Sequence, residues 1–216
     1  MVIIEQKEVE LVEQQEFVNK RKVQYQQTLE KIRSAVDKLV EQKGFAAMTI
    51  RDICSEAGIK TGGFYHHFSS KDELLFDRYR RTNQYFTALY ETRIQGMQAI
   101  EGLHLVVDAY FAYLKSRVLS VMLQYHITYT ANRSQWQARE PEACLGVITR
   151  LMQQGVESGE MAAAARPQDL TDFLWCLIRG ATERYCATSG SFLQQSGIEQ
   201  MIHQWIDSLA ADAGAQ

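Results

Sequence analysis

An all-α fold is what this sequence predicts, and three observations carry the prediction. Gln, Glu, Ala, Leu and Arg dominate, which favours helices, and only two prolines, Pro141 and Pro167, occur in 216 residues. No Gly or Pro interrupts the chain before Gly44. Paired start signals, Thr49 with Asp52 and Ser70 with Glu73 three residues later, have the spacing of N-terminal capping boxes.

The first element follows from a repeat. Leu11, Val18, Tyr25, Ile32 and Leu39 recur every seven residues, and Leu29 and Val36 fill a second position. This predicts one long helix, or two end to end, reaching Lys43 with Gly44 as its C-cap. Residues 1–24 form an N-terminal helical extension, 25–75 a first domain and 76–216 a larger helical domain. From Met48 to Leu75 the chain reads MTIRDICSEAGIKTGGFYHHFSSKDELL. Thr49 caps a short helix whose Ile50, Ile53, Cys54 and Ala57 share one face. Gly58 supplies the positive φ that helix C-termini favour. A second short helix carries Thr61 to Phe68, with Phe64 and Phe68 turned to the core. Its exposed face offers small residues, a hydroxyl, a phenol and an imidazole, a surface suited to a flat anionic partner. Helix, glycine turn and short polar-faced helix make a helix-turn-helix, whose second helix enters a DNA major groove.

The later elements have their own punctuation. Ser70 opens a helix to about Gln95, and Gly96 and Gly102 flank a connector. Residues 103–119 are strongly apolar and predict a buried helix. Residues 120–137 continue helical with Tyr125, Tyr129 and Trp136. Pro141 suits the first turn of a helix ending near Glu157, before Ser158-Gly159. Pro167 opens another helix to Ala187. A last helix spans about 196–210, and the sequence AADAGAQ predicts a loose tail.

The net charge of −3 conceals an asymmetry. Residues 1–19 carry one Lys against five Glu, whereas residues 20–81 carry 13 Lys and Arg against 8 Asp and Glu, a net +5. Positive charge is thus concentrated around the helix-turn-helix, as phosphate contact requires. The N-terminal segment is acidic, so only Lys20-Arg21-Lys22 within the extension is suited to phosphate. The four cysteines form no C-x-x-C pair, which suits reduced thiols of a cytoplasmic protein rather than disulfides or a metal site. No apolar run approaches the roughly 18 residues that a membrane span needs. Adjacent His66 and His67 point about 100° apart on a helix and cannot chelate one ion. No phosphate-binding glycine loop, nucleophile elbow or zinc-protease motif is present, so neither an enzyme nor a cofactor is expected.

The ordered set Ala35, Gly44-Phe45, Met48 to Ile53, Ala57-Gly58-Ile59, Gly62, Tyr65-His66-His67-Phe68, Lys71 and Leu74-Leu75 resembles the N-terminal DNA-binding domain of the TetR family of bacterial transcriptional regulators. Helix geometry and the resemblance together assign base contacts to Lys60, Thr61 and Gly63, with Gly62 beside them. By the resemblance, Tyr65 and His66 contact phosphate and groove. Thr49 and Lys71 stand at helix starts, whose amides attract phosphate. Arg51 either faces DNA or forms a surface ion pair. Gly63 stands where relatives often carry Thr or Ser, which shifts specificity to Lys60 and Thr61.

The resemblance also implies a homodimer on double-stranded, palindromic DNA, and a ligand cavity between the helices after residue 100. Ligand binding would shift the fourth helix and relieve repression. Candidate polar points are His104, Asp108, Tyr125, His126, Tyr129 and Arg179, with Trp136 and Trp175 as further lining. His104 is the nearest partner for Asp108 in sequence, and Arg179 has Glu183 one turn on. Such a lining suits a small lipophilic or aromatic ligand, with Asp108 as counter-charge for a cationic one. Phe173, Leu174, Leu177, Ile178 and Ala181, with Met201, Ile202, Trp205 and Leu209, form two apolar faces that would pair across the dimer. The alternative reading keeps DNA binding, drops the inducer and gives the larger domain a protein partner.

Overall fold

The computed structural model describes residues 2–117, 119–162 and 166–211, with backbone alone for residues 2–18 and Ser120. It is all-α among these residues: the only β pairing is an isolated bridge between Met161 and Ala210. No described helix is long and apolar enough to cross a membrane. Two compact units divide the chain between Leu74 and Leu75.

The first unit contains α1 (Val2–Ala47), α2 (Ile50–Ala57) and α3 (Thr61–Tyr65). Of the repeat in α1, Leu29, Ile32, Val36 and Leu39 are buried, whereas Tyr25 is 38% exposed, so only the later part of the repeat faces the core. Leu11 and Val18 lie outside the described side chains. Gly44 leaves the helix at φ 76°, ψ 160°, so the regular helix stops where the sequence predicted its cap. Phe45, Met48, Ile53, Phe64 and Phe68 fill the core of the unit. Thr49 and Asp52 complete the capping box of α2, a motif worth about 1 kcal/mol. Gly58 closes α2 at φ 65°, and its N–H donates to the carbonyls of Cys54 and Ser55. A residue with a Cβ would be strained in that left-handed turn.

The second unit contains most of α4 (Glu73–Leu89), which continues as one π-helical turn over Tyr90–Ile94. It then holds α5 (Ala99–Lys115), α6 (Leu119–Arg139), α7 (Ala143–Glu157), α8 (Pro167–Ala187), α9 (Ser191–Gln195) and α10 (Ile198–Asp207). The Glu73 N–H donates to the Ser70 hydroxyl, so α4 starts where its signal stood. Several boundaries differ from expectation, and three have a clear cause. α5 begins at Ala99, four residues early, because the Glu160 carboxylate accepts from the free N–H groups of Ala99 and Ile100 and anchors this end. Pro141 lies before the α7 cap, Glu142, rather than in its first turn. The expected loose tail is pinned at its start: Ala211 N–H donates to the Glu160 carbonyl, and Ala162 N–H to Leu209. The rest of that tail, residues 212–216, lies outside the described residues.

Candidate DNA-binding surface and interior cavity

The DNA-facing candidates are displayed by a short, rigidly seated helix. Phe64, fully buried, anchors α3 from within, with Phe68 5.6 Å away ring to ring. Thr61, Gly62, Tyr65 and His66 are thereby left exposed, and Gly63 partly so. Tyr65 is 55% exposed, so its phenol is held out by the backbone and not by packing. Lys60 caps α3 in extended conformation and is exposed. Arg51 is exposed, and among the described residues no carboxylate pairs with it, which removes the surface ion pair as its explanation. The neighbouring cations are committed elsewhere: Lys38 pairs with Glu56, and Lys43 with Asp52 at 2.7 Å.

Two predicted contacts have internal duties. The Thr49 hydroxyl donates to Asp52 Oδ2 at 2.7 Å and accepts from the Asp52 N–H at 3.2 Å, so it closes the cap. Lys71 is turned inward. Its ammonium donates to the carbonyls of Phe45, Ala46 and Met48 at 3.0–3.2 Å and lies 4.8 Å from the Phe45 ring centre. It neutralises carbonyls at the end of α1, and its first role is to hold that turn. His67 is half-buried against Tyr25, ring centres 4.2 Å apart. Burial, then the neighbouring His66 and Arg33, push its pKa below the usual histidine value. The Asp52 carboxyl is held well below the usual carboxylate range, chiefly by the hydrogen bond from Lys43 and then by Thr49.

In the second unit an aromatic wall surrounds a small cavity. Tyr79 of α4, Tyr125 and Tyr129 of α6 and Trp136 sit ring to ring at 5.6–6.1 Å. Behind it, Tyr79, Thr82 and Asn83 of α4 face Tyr110 and Tyr113 of α5, Met122 and Tyr125 of α6, Glu142 and Cys144, and Trp175 and Arg179 of α8. The free space is about 30 Å³, room for a water. Trp175 is 6% exposed, and its Nε1 donor is unmatched. Arg179 stacks 4.6 Å above the Tyr129 ring and donates to His126 Nδ1 at 3.3 Å; among the described residues no carboxylate forms an ion pair with it, Glu183 included. Burial opposes its charge, but the surrounding phenols and Glu142 more than offset this, and the guanidinium pKa sits above its usual value. Glu142 accepts from the Tyr129 hydroxyl at 2.6 Å and from Gln137 at 3.1 Å.

The cavity thus gathers Tyr125, Trp175 and Arg179, with Tyr129, Trp136 and His126 immediately behind them. His104 and Asp108 do not join it. They lie on the other side of α5, where His104 Nδ1 meets His203 Nδ1 at 2.6 Å. Their Nε2 atoms meet Asp207 and Asp108 respectively. Asp108 therefore pairs with His203 of α10 and not with His104, and a charge on that face is 66% exposed rather than buried. It cannot serve as counter-charge to a ligand in the cavity. Sequence reasoning missed Tyr79, Thr82 and Asn83, because nothing in α4 marked one side as cavity wall.

The proposed dimer faces also need correction. Leu174, Ile178, Ala181 and Ile202 are buried within the protomer and belong to its own core. Phe173 and Met201 are 48% and 61% exposed, Leu177, Trp205 and Leu209 partly so. Phe173 meets Trp205 at 4.9 Å, joining the outer sides of α8 and α10 in one patch.

Residues 32–77 match the family model described as bacterial regulatory proteins, tetR family. The chain is 30% identical over 157 residues to the HTH-type transcriptional repressor KstR2 of Mycobacterium tuberculosis, covering 65% of this chain and 70% of that protein. This protein belongs to the TetR family. KstR2 of Mycolicibacterium smegmatis is similar to the same degree, 30% over 156 residues, covering 65% of this chain and 68% of its own. The fold is similar to the crystal structure of the transcriptional regulator FadR from Bacillus subtilis in complex with stearoyl-CoA. That likeness has a TM-score of 0.68 at 16% identity and covers 87% of this chain and all of that one.

Proposed function

We propose that this TetR-family protein is a sequence-specific DNA-binding repressor, working as a homodimer whose operator grip a small molecule releases. The observation that carries the DNA reading is the exposed α3 face, Thr61, Gly62, Tyr65 and His66, flanked by Lys60 and Arg51, which have no ion-pair partner among the described residues. Repression is supported by the names of relatives at 30% identity. The outer patch of Phe173, Leu177, Met201 and Trp205 supports a dimer through α8 and α10, since an apolar patch of this kind favours a partner. The cytoplasm is where such a regulator would act.

Release would work through α4. This helix leads out of the reading unit and contributes Tyr79, Thr82 and Asn83 to the cavity. Two of its bonds run to the α6–α7 turn: Tyr79 donates to the Glu140 carbonyl at 2.8 Å, and Asn83 to the Pro141 carbonyl at 2.9 Å. A ligand that needs more room would press on α4, and it acts only through its different affinity for the two states. The unmatched Trp175 Nε1 and unpaired Arg179 favour a ring-bearing ligand with an acceptor or anionic oxygen. A cationic ligand is disfavoured.

A second reading draws on the cavity's size. Small-molecule sites usually measure about 300–1,000 Å³, against about 30 Å³ here. A domain that stays closed would act constitutively or dock a protein. Selection of duplexes from a random pool tests the main reading. It should yield an inverted repeat with half-site centres ~34–36 Å apart, bound by a species of dimer mass. A single half-site bound at full affinity contradicts it. Planar aromatic acids should then quench tryptophan fluorescence and release the duplex; no effect from them favours the closed reading.

A further inference from the structure

The two imidazoles on the far side of α5 form a cluster with a chemistry of its own. His104 of α5 and His203 of α10 lie ring over ring, centres 4.9 Å apart and planes inclined by 26°. Each Nε2 faces a carboxylate: His104 meets Asp207 at 2.8 Å, and His203 meets Asp108 at 2.9 Å. An ionised carboxylate can only accept a hydrogen bond, so each Nε2 carries the proton. In a neutral ring the other nitrogen, Nδ1, is then a bare lone pair. Yet the two Nδ1 atoms face each other across 2.6 Å. Facing lone pairs repel unless a cation lies between them, and two carboxylates close by favour one.

A second, independent observation is in the sequence. Both helices carry the same pattern, His-x-x-x-Asp: His104 with Asp108, and His203 with Asp207. Residues four apart share a helix face, and the fold crosses the two patterns, so that each His meets the other helix's Asp. Metal-binding histidines are held in this way, the second ring N–H donated to a carboxylate that fixes tautomer and orientation. Packing does not demand the cluster. Leu103 and Val107 of α5 and Ile202 and Ile206 of α10 are fully buried, whereas the side chains of His104 and His203 are 27% and 25% exposed.

We propose that His104 and His203 bind a divalent transition-metal ion of the zinc class through their Nδ1 atoms. Asp108 and Asp207 hold the rings as outer partners. Water completes the coordination, because among the described residues no three His, Cys, Asp or Glu side chains are grouped for a metal. Tetrahedral nitrogens about 2.0–2.1 Å from zinc stand about 3.4 Å apart, so the two ring edges must part from their 2.6 Å separation when the ion enters. Imidazole ligands favour zinc, nickel or copper over magnesium. The ion would clip α5 to α10. This site stands independently of the DNA-binding and dimer readings above.

The test uses the full-length protein without an affinity tag, stripped by a chelator, with zinc chloride as the probe. Titration calorimetry should show a single zinc per chain, and the melting temperature should rise with zinc and return on chelation. Magnesium chloride at the same concentration should do neither. His104→Gln with His203→Gln should lose zinc affinity by roughly tenfold or more while melting in chelator as the wild type does. Asp108→Asn and Asp207→Asn alter side chains that are 66% and 65% exposed, and each should weaken zinc binding about 10–100-fold. Wild-type protein that takes up no zinc overturns the proposal and leaves the two rings sharing a proton. Zinc binding that survives the double substitution, or is unchanged in both Asp variants, also overturns it and places the ion on other side chains. So does an equal response to magnesium, since carboxylates alone would then be the ligands. If the double variant does not fold, the two Asp variants decide.

Discussion

The two units solve opposite problems with the same helices. The first buries one face of α3 and leaves the other to a partner: Phe64 is fully buried while Tyr65, its neighbour, is 55% exposed. The second turns its chemistry inward, around an unmatched Trp175 donor and an Arg179 that has no carboxylate partner among the described residues. An outward site needs little beyond a local motif, since consecutive residues supply both anchor and reader. An inward site is assembled from α4, α5, α6, α7 and α8, so its members meet only after folding. Substitutions on the outward face should therefore act on recognition, and those in the inward site on stability.

The strongest way to break this contrast concerns α8. Ile178→Glu places a carboxylate in a site with no solvent exposure. It should cost upwards of about 4 kcal/mol and abolish the cooperative melt. Phe173→Glu with Met201→Glu should leave the protomer folded with a cooperative melt and, on the proposed pairing of α8 and α10, give monomer mass in sedimentation. A folded Ile178→Glu protein of monomer mass would return that residue to the interface. The sequence could not separate the two sets, because both recur at helical spacing. What distinguishes Ile178 from Phe173 is which side of α8 the rest of the unit covers.

Lys71 belongs to the outward unit but serves its stability. Removing its ammonium leaves three carbonyls at the end of α1 without a donor. Lys71→Ala should destabilise the first unit by about 1–3 kcal/mol and leave the salt slope of operator binding unchanged below the melting transition. A slope reduced by one unit, with stability intact, would make Lys71 a phosphate contact after all. Its sequence position at the start of α4 suggested that role; only the fold brings it within reach of Phe45, 26 residues back.

Thr61→Ala tests the outward site itself. Thr61 is exposed at the first position of α3. Its removal should leave stability within about 0.5 kcal/mol and relax preference at one base position by roughly 1–3 kcal/mol. Equal weakening on operator and random duplex would move it from reader to anchor. This part of the molecule was legible from its residues: the capping box, the Gly58 turn and the Phe64–Phe68 pair are all local. The cavity was half legible. The chemistry of Tyr125, Trp175 and Arg179 points to it, but so does that of His104 and Asp108, which lie elsewhere. The sequence showed them a turn apart on α5, not His203 and Asp207 waiting on α10. Side chains whose partners lie about a hundred residues away carry no local signal of which face they take.

The smallest expected effect concerns pH, and it belongs to the reading unit alone. Asp52 has a lowered pKa, held down by Lys43 and Thr49. Its contribution to stability is complete above its unfolded value near 3.8 and is lost as pH falls through the folded one. His67 is also lowered, mainly by burial. For a base the unfolded chain then binds the proton more readily, so stability declines once pH drops below about 6.5. Both groups therefore push the same way, in successive windows. Melting of the first unit, followed by the Tyr25 signal, should shift down modestly between pH 7 and 5 and again below pH 4. His67→Gln should flatten the upper window, and Asp52→Asn the lower one, at a general cost to the α2 cap. If acid instead raises the melting temperature between pH 7 and 5, His67 gains a proton partner on folding, and its packing against Tyr25 is not what holds it neutral.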